Sequence, residues 1–417
     1  MNRNRKFLIS LFVGLCISFL FSTNLWADYF DGNIQITYKS DIIDLRPEYN
    51  LNRSSGGTDT TSYTSADLKV GSIFIAPNGA AKEVTDIYVS NGQTVIETTV
   101  PDYSDVFDYL EIPDFEINVD TEDFTDLGEG VTLLSDEESM DTDNYLSSDF
   151  EDGTRLSGSS SSSVGKTFNI NKVLYSKSSD ATLVKNLDKK IPSGSEYSVS
   201  NSVEVRLKGT VKVGISASGY YKINWRCQTW GKAKITVTQE VDVKVIGTAI
   251  LNEEYSIYIG SYSSGIFTGK LYANVSVTGQ VSLSVRLYES STITAGAEKN
   301  KKKYSTIWSP TYNIGFQPEA AATATIKAGP MVTGQIGLCK LTLSKATLKT
   351  GLGLTLNGFI GAENLIGRTQ NGKYGDISKW IVDAKARLFI YMNAKVKILK
   401  KSFNIYDNTW TLKTWSN

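Results

Sequence analysis

The feature that most constrains this chain is two-residue alternation, sustained over far more positions than a β-strand usually needs. From Val203 to Ala217, one side carries Val203, Val205, Leu207, Gly209, Val211, Val213, Ile215 and Ala217. The other carries Glu204, Arg206, Lys208, Thr210, Lys212, Gly214 and Ser216. Successive side chains of an extended chain point to opposite faces, so this pattern specifies a strand with one buried and one solvated face. Leu271 to Leu287 repeats it, and Ala233–Ala249 and Ala384–Ile398 behave likewise. Further strands are expected over 168–175, 253–261, 304–316, 320–328, 335–343 and 345–360. A last hairpin is expected to turn at Asp407-Asn408. A strand of this kind is about 55 Å long at ~3.3 Å per residue, against a usual length of ~5–6 residues. Gly209, Gly247 and Gly279 fall on the apolar faces, where glycine marks a bend or a barrel corner. Each long strand is therefore expected to bend and serve two sheets. The fold class that follows is all-β: an elongated antiparallel sandwich or flattened barrel with long bent strands, preceded by a small β meander and an acidic linker. A transmembrane β-barrel uses the same alternation. Against it, aromatic residues do not stand at both ends of most strands, and Ala and Gly are frequent on the apolar faces.

Charge divides the chain. Between Asp102 and Asp152 there are 19 acidic residues and no Lys or Arg, and residues 156–417 carry 34 basic against 15 acidic residues. The change of sign falls at the serine run Ser159–Ser163, a linker composition. The expected organisation is 1–27 signal peptide, 28–101 small N-terminal β region, 102–165 acidic and Ser-rich linker with a possible docking function, and 166–417 large antiparallel β domain. Halves of opposite charge attract, so the acidic segment is either a cover on the basic domain, an adhesive between subunits, or a solvated linker.

The first 27 residues read as an export signal: Arg3, Arg5 and Lys6, then an apolar run from Phe7 to Phe21, then a polar stretch ending at Ala27, with cleavage between Ala27 and Asp28. A secreted or cell-surface location follows. Export leaves Cys227 and Cys339, which either pair in an oxidising compartment or remain buried thiols. The chain has no histidine, which removes Ser-His-Asp triads, Cys-His pairs and His-ligated zinc. No cofactor is expected.

Residues 71–99 read as a three-stranded meander, with turns at Ala76-Pro77-Asn78-Gly79 and Asn91-Gly92. Here Val70-Gly71-Ser72-Ile73-Phe74-Ile75, Lys82-Glu83-Val84-Thr85, Gly92-Gln93-Thr94-Val95 and Asp105-Val106-Phe107 together resemble a module of large bacterial cell-surface proteins. The resemblance spans residues 70–107 and implies a bacterial exported β-rich protein. It carries no catalytic residue and no ligand.

Chemistry-bearing motifs are sparse. Gly165-Lys166-Thr167 has the end of a phosphate-binding loop, but Ser160 stands where the first glycine belongs. The acidic run Asp120–Glu129 lacks the alternating order of a calcium loop, and Asp141–Asn144 is incomplete. Glu240 and Asp242 share a polar strand face with lysines, which reads as cross-strand charge pairing rather than a glycosidase pair. The densest aromatic cluster is Tyr220, Tyr221, Trp225 and Trp230; Tyr221 and Trp225 are expected in the core. Tyr220, Trp230 and the basic tip Lys301-Lys302-Lys303 are the candidate ligand-binding residues. The expected function is a non-catalytic secreted or cell-surface β protein with a structural, adhesive or ligand-binding role. Its partners would be copies of itself or a surface polysaccharide or protein, with no nucleic acid; a membrane is not the expected partner, and the barrel alternative keeps it open. An outer-membrane or pore-forming barrel and an extracellular glycan hydrolase are the alternatives.

Overall fold

A computed structural model describes residues 34–46, 54–55, 61–62, 68–134, 166–177, 180–195, 197–199, 203–226, 228–361, 366–374 and 381–416. The expected cleavage site at Ala27 and Asp28, Cys227 and the serine run lie outside them. The fold is all-β, in two sheets. The smaller contains β2 (Ile43–Asp44), β3 (Ser54–Ser55), β4 (Thr61–Ser62), β5 (Ile73–Ile75), β6 (Ala81–Ser90) and β7 (Gln93–Thr99), in the order β2-β5-β6-β7-β4-β3. Asn91 and Gly92 turn the β6–β7 hairpin at φ 52° and 75°, as the left-handed two-residue turn requires.

The larger sheet has 14 strands and is antiparallel throughout. Its main path begins with β1 (Gln35–Tyr38), β8 (Phe107–Val119), β12 (Val203–Ile223) and β13 (Thr229–Ser264). It continues through β14 (Phe267–Asn300), β15 (Lys303–Leu338), β16 (Leu341–Gly361), β19 (Ile381–Ile398) and β20 (Lys401–Trp415). The short strands β9 (Asp126–Leu127), β10 (Val131–Leu134), β11 (Thr167–Lys177), β17 (Ile366–Thr369) and β18 (Gly372–Tyr374) attach to its margins. The described residues contain two α-helices, α1 (Tyr103–Val106) and α2 (Ala181–Asp188). The sheet does not close into a barrel.

β13, β14 and β15 run 36, 34 and 36 residues without interruption, and each serves both layers of a sandwich. Gly209, Gly247 and Gly279 have φ of 141°, 140° and 117°. Gly209 is opposite Val243, four residues before Gly247, and Gly247 is opposite Leu283, four residues after Gly279. The three glycines thus step across the sheet along one diagonal, and the sheet folds over on that line. The fold brings inner faces together: Tyr221 on β12 donates to Ser344 Oγ on β16 at 2.6 Å. Ile235 of β13 fills the space a side chain at Gly334 of β15 would need. The apolar residues of every alternating run meet in one continuous core. Folding over also gathers the hairpin turns at 224–228, 265–266, 301–302, 339–340 and 399–400 at one end of the molecule, where Phe267 pairs with Ile336 and Leu399 N–H donates to Leu343 C=O. α2, capped by Asp180 through Thr182 and Leu183 N–H groups, packs Leu183 and Leu187 against Val199 near the crease.

The two edges exposed by folding, the first half of β15 and β20, are joined by aromatic rings. Tyr304 packs on Phe403, Trp308 on Tyr406 and Tyr312 on Trp410, with centroids 5.4, 4.6 and 5.7 Å apart. Arg368 of β17 lies over the Trp410 ring, 5.3 Å from its centre.

Several expectations are corrected. The acidic stretch is not a linker where it is described: β8 pairs with β12 from Val119 opposite Ile215 to Leu110 opposite Ile223. Its carboxylates meet the basic half, as in Glu111–Lys222 at 2.8 Å, Asp102–Lys400 at 3.2 Å and Glu129–Lys172. The run expected as a strand at 335–343 contains a hairpin at Cys339-Lys340, and Asp407-Asn408 lies inside β20, opposite Asn393 and Met392. The last turn is at Leu399-Lys400.

Candidate functional site

Two places concentrate polar chemistry. One is buried. Glu289 is fully buried (0 % exposed) on the inner face of β14. Its carboxyl receives Gln239 Nε2 at 2.6 Å and Ser291 Oγ at 2.9 Å from its own layer, and Thr350 Oγ1 at 2.8 Å from β16 in the opposite layer. Burial pushes its pKa up, against the smaller opposing effect of the three donors. This fully buried group ties the layers together through its hydrogen bonds. Among the described residues no group of acidic, Cys or His side chains is arranged to hold a metal. Asp120 and Asp123 cap a short 3-10 turn instead, with Asp123 accepting from Asp120 N–H at 2.8 Å.

The other place is on the outer wall at the hairpin end, and it contains the sequence-derived candidates. Even-numbered residues of β12 and β13 face outward here. Lys222 is directly opposite Trp230, Trp230 opposite Asn300, and Asn300 opposite Lys303. One row along the strands, Tyr220 is opposite Lys232, Lys232 opposite Glu298, and Glu298 opposite Ser305. The structure therefore brings Tyr220, Trp230, Lys301 and Lys303 to one surface, with Lys302 in the same two-residue turn. Lys301 Nζ lies 6.0 Å from the Trp230 ring centre. Tyr220 Oη donates to Glu298 at 3.5 Å, and its pKa is raised by burial first and Glu298 second.

Sequence reasoning missed two members of this surface and misplaced one. Trp225 is not core: β12 ends at Ile223, and Trp225 sits in the following turn, 63 % exposed, stacked on Tyr109 with centroids 5.5 Å apart. Tyr109 and Glu111 come from the acidic stretch, and only the pairing of β8 with β12 carries them here. Lys222 Nζ lies 5.8 Å from the Tyr109 ring centre and donates to Glu111 at 2.8 Å. That hydrogen bond raises the Lys222 pKa and lowers that of Glu111. Tyr221, by contrast, is core, 1 % exposed.

The remaining candidates separate. Cys339 is a free thiol whose Sγ is 3.5 Å from Tyr38 Oη; burial raises its pKa. Thr167, the last residue of the phosphate-loop-like sequence, opens strand β11 rather than a helix, so it has no helix N-terminus to offer a phosphate. Asp242 is bound to Arg286 of the adjacent strand at 2.8 and 2.5 Å, a cross-strand charge pair. No helix among the described residues is long and apolar enough to cross a membrane. Compared with known protein families, curated proteins and solved structures, the chain matches none of them.

Proposed function

We propose that this chain is a non-catalytic, exported β protein of a bacterial cell surface or its surroundings, with an adhesive or structural role exercised through its outer wall. The observation that carries the reading is the patch of outward aromatic, charged and amide side chains at the hairpin end, with Glu111, Lys222, Trp230, Asn300 and Lys303 in one row across β8, β12, β13, β14 and β15 and Tyr109, Tyr220 and Trp225 beside it. Rings that reach the surface beside cations contribute little to a core, so their concentration in one place favours recognition of a ligand. The rest of the outer wall suits water rather than lipid. Thr236 bonds Thr294 at 2.9 Å, Thr325 bonds Thr355 at 3.2 Å, and Asp242 and Lys349 pair with Arg286 and Glu254. The hydrogen-bonded tie at Glu289 is structural in this reading, since its side chain is fully buried.

The test is cell fractionation combined with a pull-down. The chain is expected in the culture fluid or on the envelope, soluble without detergent after release, and retained by envelope material through the hairpin-end wall. Recovery in the cytoplasm, or extraction only with detergent micelles, would refute the proposal.

A further inference from the structure

We infer that the hairpin-end wall receives a second copy of this chain, which sets one face of its β6–β7 hairpin against it; this rests on the reading of the wall as a recognition surface and names its partner. The hairpin carries the complementary chemistry. Beyond the bulge at Val84–Asp86, its strands pair from Asp86 opposite Glu97 to Ser90 opposite Gln93. By parity, one face of that stretch carries Asp86 with Glu97, then Tyr88 with Val95. Tyr88 is 43 % exposed, and Val89 beside it on the other face is 73 % exposed. Asp86 and Glu97 are both exposed and directly opposite each other. Like charges so placed repel and weaken a hairpin. Asp86 accepts from Ile87 N–H at 2.8 Å, and neither carboxylate forms an ion pair with a described residue. An uncompensated acidic pair, held beside an exposed ring at a cost to the hairpin, fits a contact with cations from another molecule.

The wall supplies those cations. Lys222 is already matched by Glu111 at 2.8 Å. The unmatched charge lies at the tip, on Lys301, Lys302 and Lys303, all exposed and in no ion pair with a described residue. Lys301 Nζ is 6.0 Å from the Trp230 ring centre. On the hairpin, the row of Tyr88 and Val95 lies two residues from the acidic row, a spacing of about 6.6 Å. Apolar group and charge thus stand at similar separations on the two surfaces, so Tyr88 and Val95 meet Trp230 where Asp86 and Glu97 meet the lysines. A polyanion would satisfy the lysines and leave the opposed carboxylates of the hairpin unexplained, whereas one contact between copies accounts for both. The hairpin face and the wall are different patches of one chain, so the contact is heterologous. A copy docked through its hairpin still offers its own wall, and association can continue from there.

The experiment is sedimentation velocity of the purified chain over a concentration series. The sedimentation coefficient is expected to rise with concentration, and salt raised from about 0.1 to about 1 M should weaken the association. Glu97→Lys and Lys302→Glu should each weaken it about tenfold. Both positions are exposed, and Glu97→Lys places a cation opposite Asp86, so neither variant should lower the melting temperature. An equimolar mixture of the two variants should associate more tightly than either alone, because each supplies the surface the other lacks. A single monomeric species at every concentration, association unchanged in both variants, or a mixture no more associated than its components would overturn the inference. A monomeric chain that binds phosphatidylglycerol vesicles and loses them in Lys302→Glu would assign the tip to an anionic surface instead, and would equally overturn it. In each of these cases, loss of envelope retention in Trp230→Ala would leave the broader reading of the wall standing, and retention unaffected by that substitution would remove both.

Discussion

If the diagonal of glycines is what lets one sheet form two layers, a single methyl group there should be unusually damaging. Gly247 is the test position. Its φ of 140° is one that residues with a Cβ rarely adopt, and such backbone strain costs about 1–3 kcal/mol. A Cβ at this position would also lie 2.8 Å from Val205 Cα and overlap the Glu204 carbonyl oxygen of β12. Relieving that overlap requires β12 and β13 to part at the Val205–Gly247 pair, which sacrifices one or two ladder hydrogen bonds at about 0.5–1.5 kcal/mol each. The sum for Gly247→Ala is a loss of about 1.5–6 kcal/mol, whose upper part reaches the range of core cavities and buried charges. Gly372 supplies the control. It has φ 153° and nothing within 4 Å of a built Cβ, so Gly372→Ala carries backbone strain without the clash. Guanidinium unfolding followed by tryptophan fluorescence measures both variants. The Gly247 variant should lose about 2 kcal/mol more than the control, the share assigned to strand separation. Equal midpoints for the two variants would refute the crease as the origin of the layering.

Other consequences are open to measurement. Burial raises the Glu289 pKa above its ordinary 4.5, so the folded state holds its proton at pH values where the unfolded chain has released it. The contribution of Glu289 to stability is therefore greatest below pH 4.5 and falls as the pH rises through the folded value. Glu289→Gln should flatten that decline and leave the variant more stable at pH 8 by about 1–3 kcal/mol; identical pH profiles for variant and parent melting temperatures would contradict it. Trp308→Ala removes the central ring of the seam, half-buried against Tyr406, and should cost about 2–3 kcal/mol. Hydrogen exchange should then accelerate across 401–410, and unchanged protection there would show that the edges do not depend on the rings. Lys340 holds φ 59° in an exposed two-residue turn, so Lys340→Gly should raise stability by about 1 kcal/mol, read as a higher melting temperature; a lower one would count against turn strain.

The alternation from Val203 onward was enough to assign strands, inner and outer faces and antiparallel pairing, because a residue's side of a strand depends only on its parity. Gly209, Gly247 and Gly279 were legible as bends for a related reason: an inward position without a side chain wastes core volume unless the backbone needs it. Turns were legible only where their chemistry was conventional. Asn91-Gly92 announced itself, whereas Cys339-Lys340 and Leu399-Lys400 turn without glycine or asparagine, at φ between 51° and 59° for Cys339, Lys340 and Leu399, and the strand periodicity on either side hid them. The candidate wall was half visible. Tyr220, Trp230 and the Lys301–Lys303 tip lie on recognisable strands and a turn, but Tyr109 and Glu111 reach the wall only because β8 pairs with β12, and the charge of that stretch had pointed to a solvated linker. Composition is a property of a segment, whereas pairing is settled between segments far apart in the chain. The sequence by itself thus determined which side of each strand meets water. Only the tertiary structure decided which strands became neighbours, because that choice rests on the packing of two layers across a crease rather than on anything local to the residues concerned.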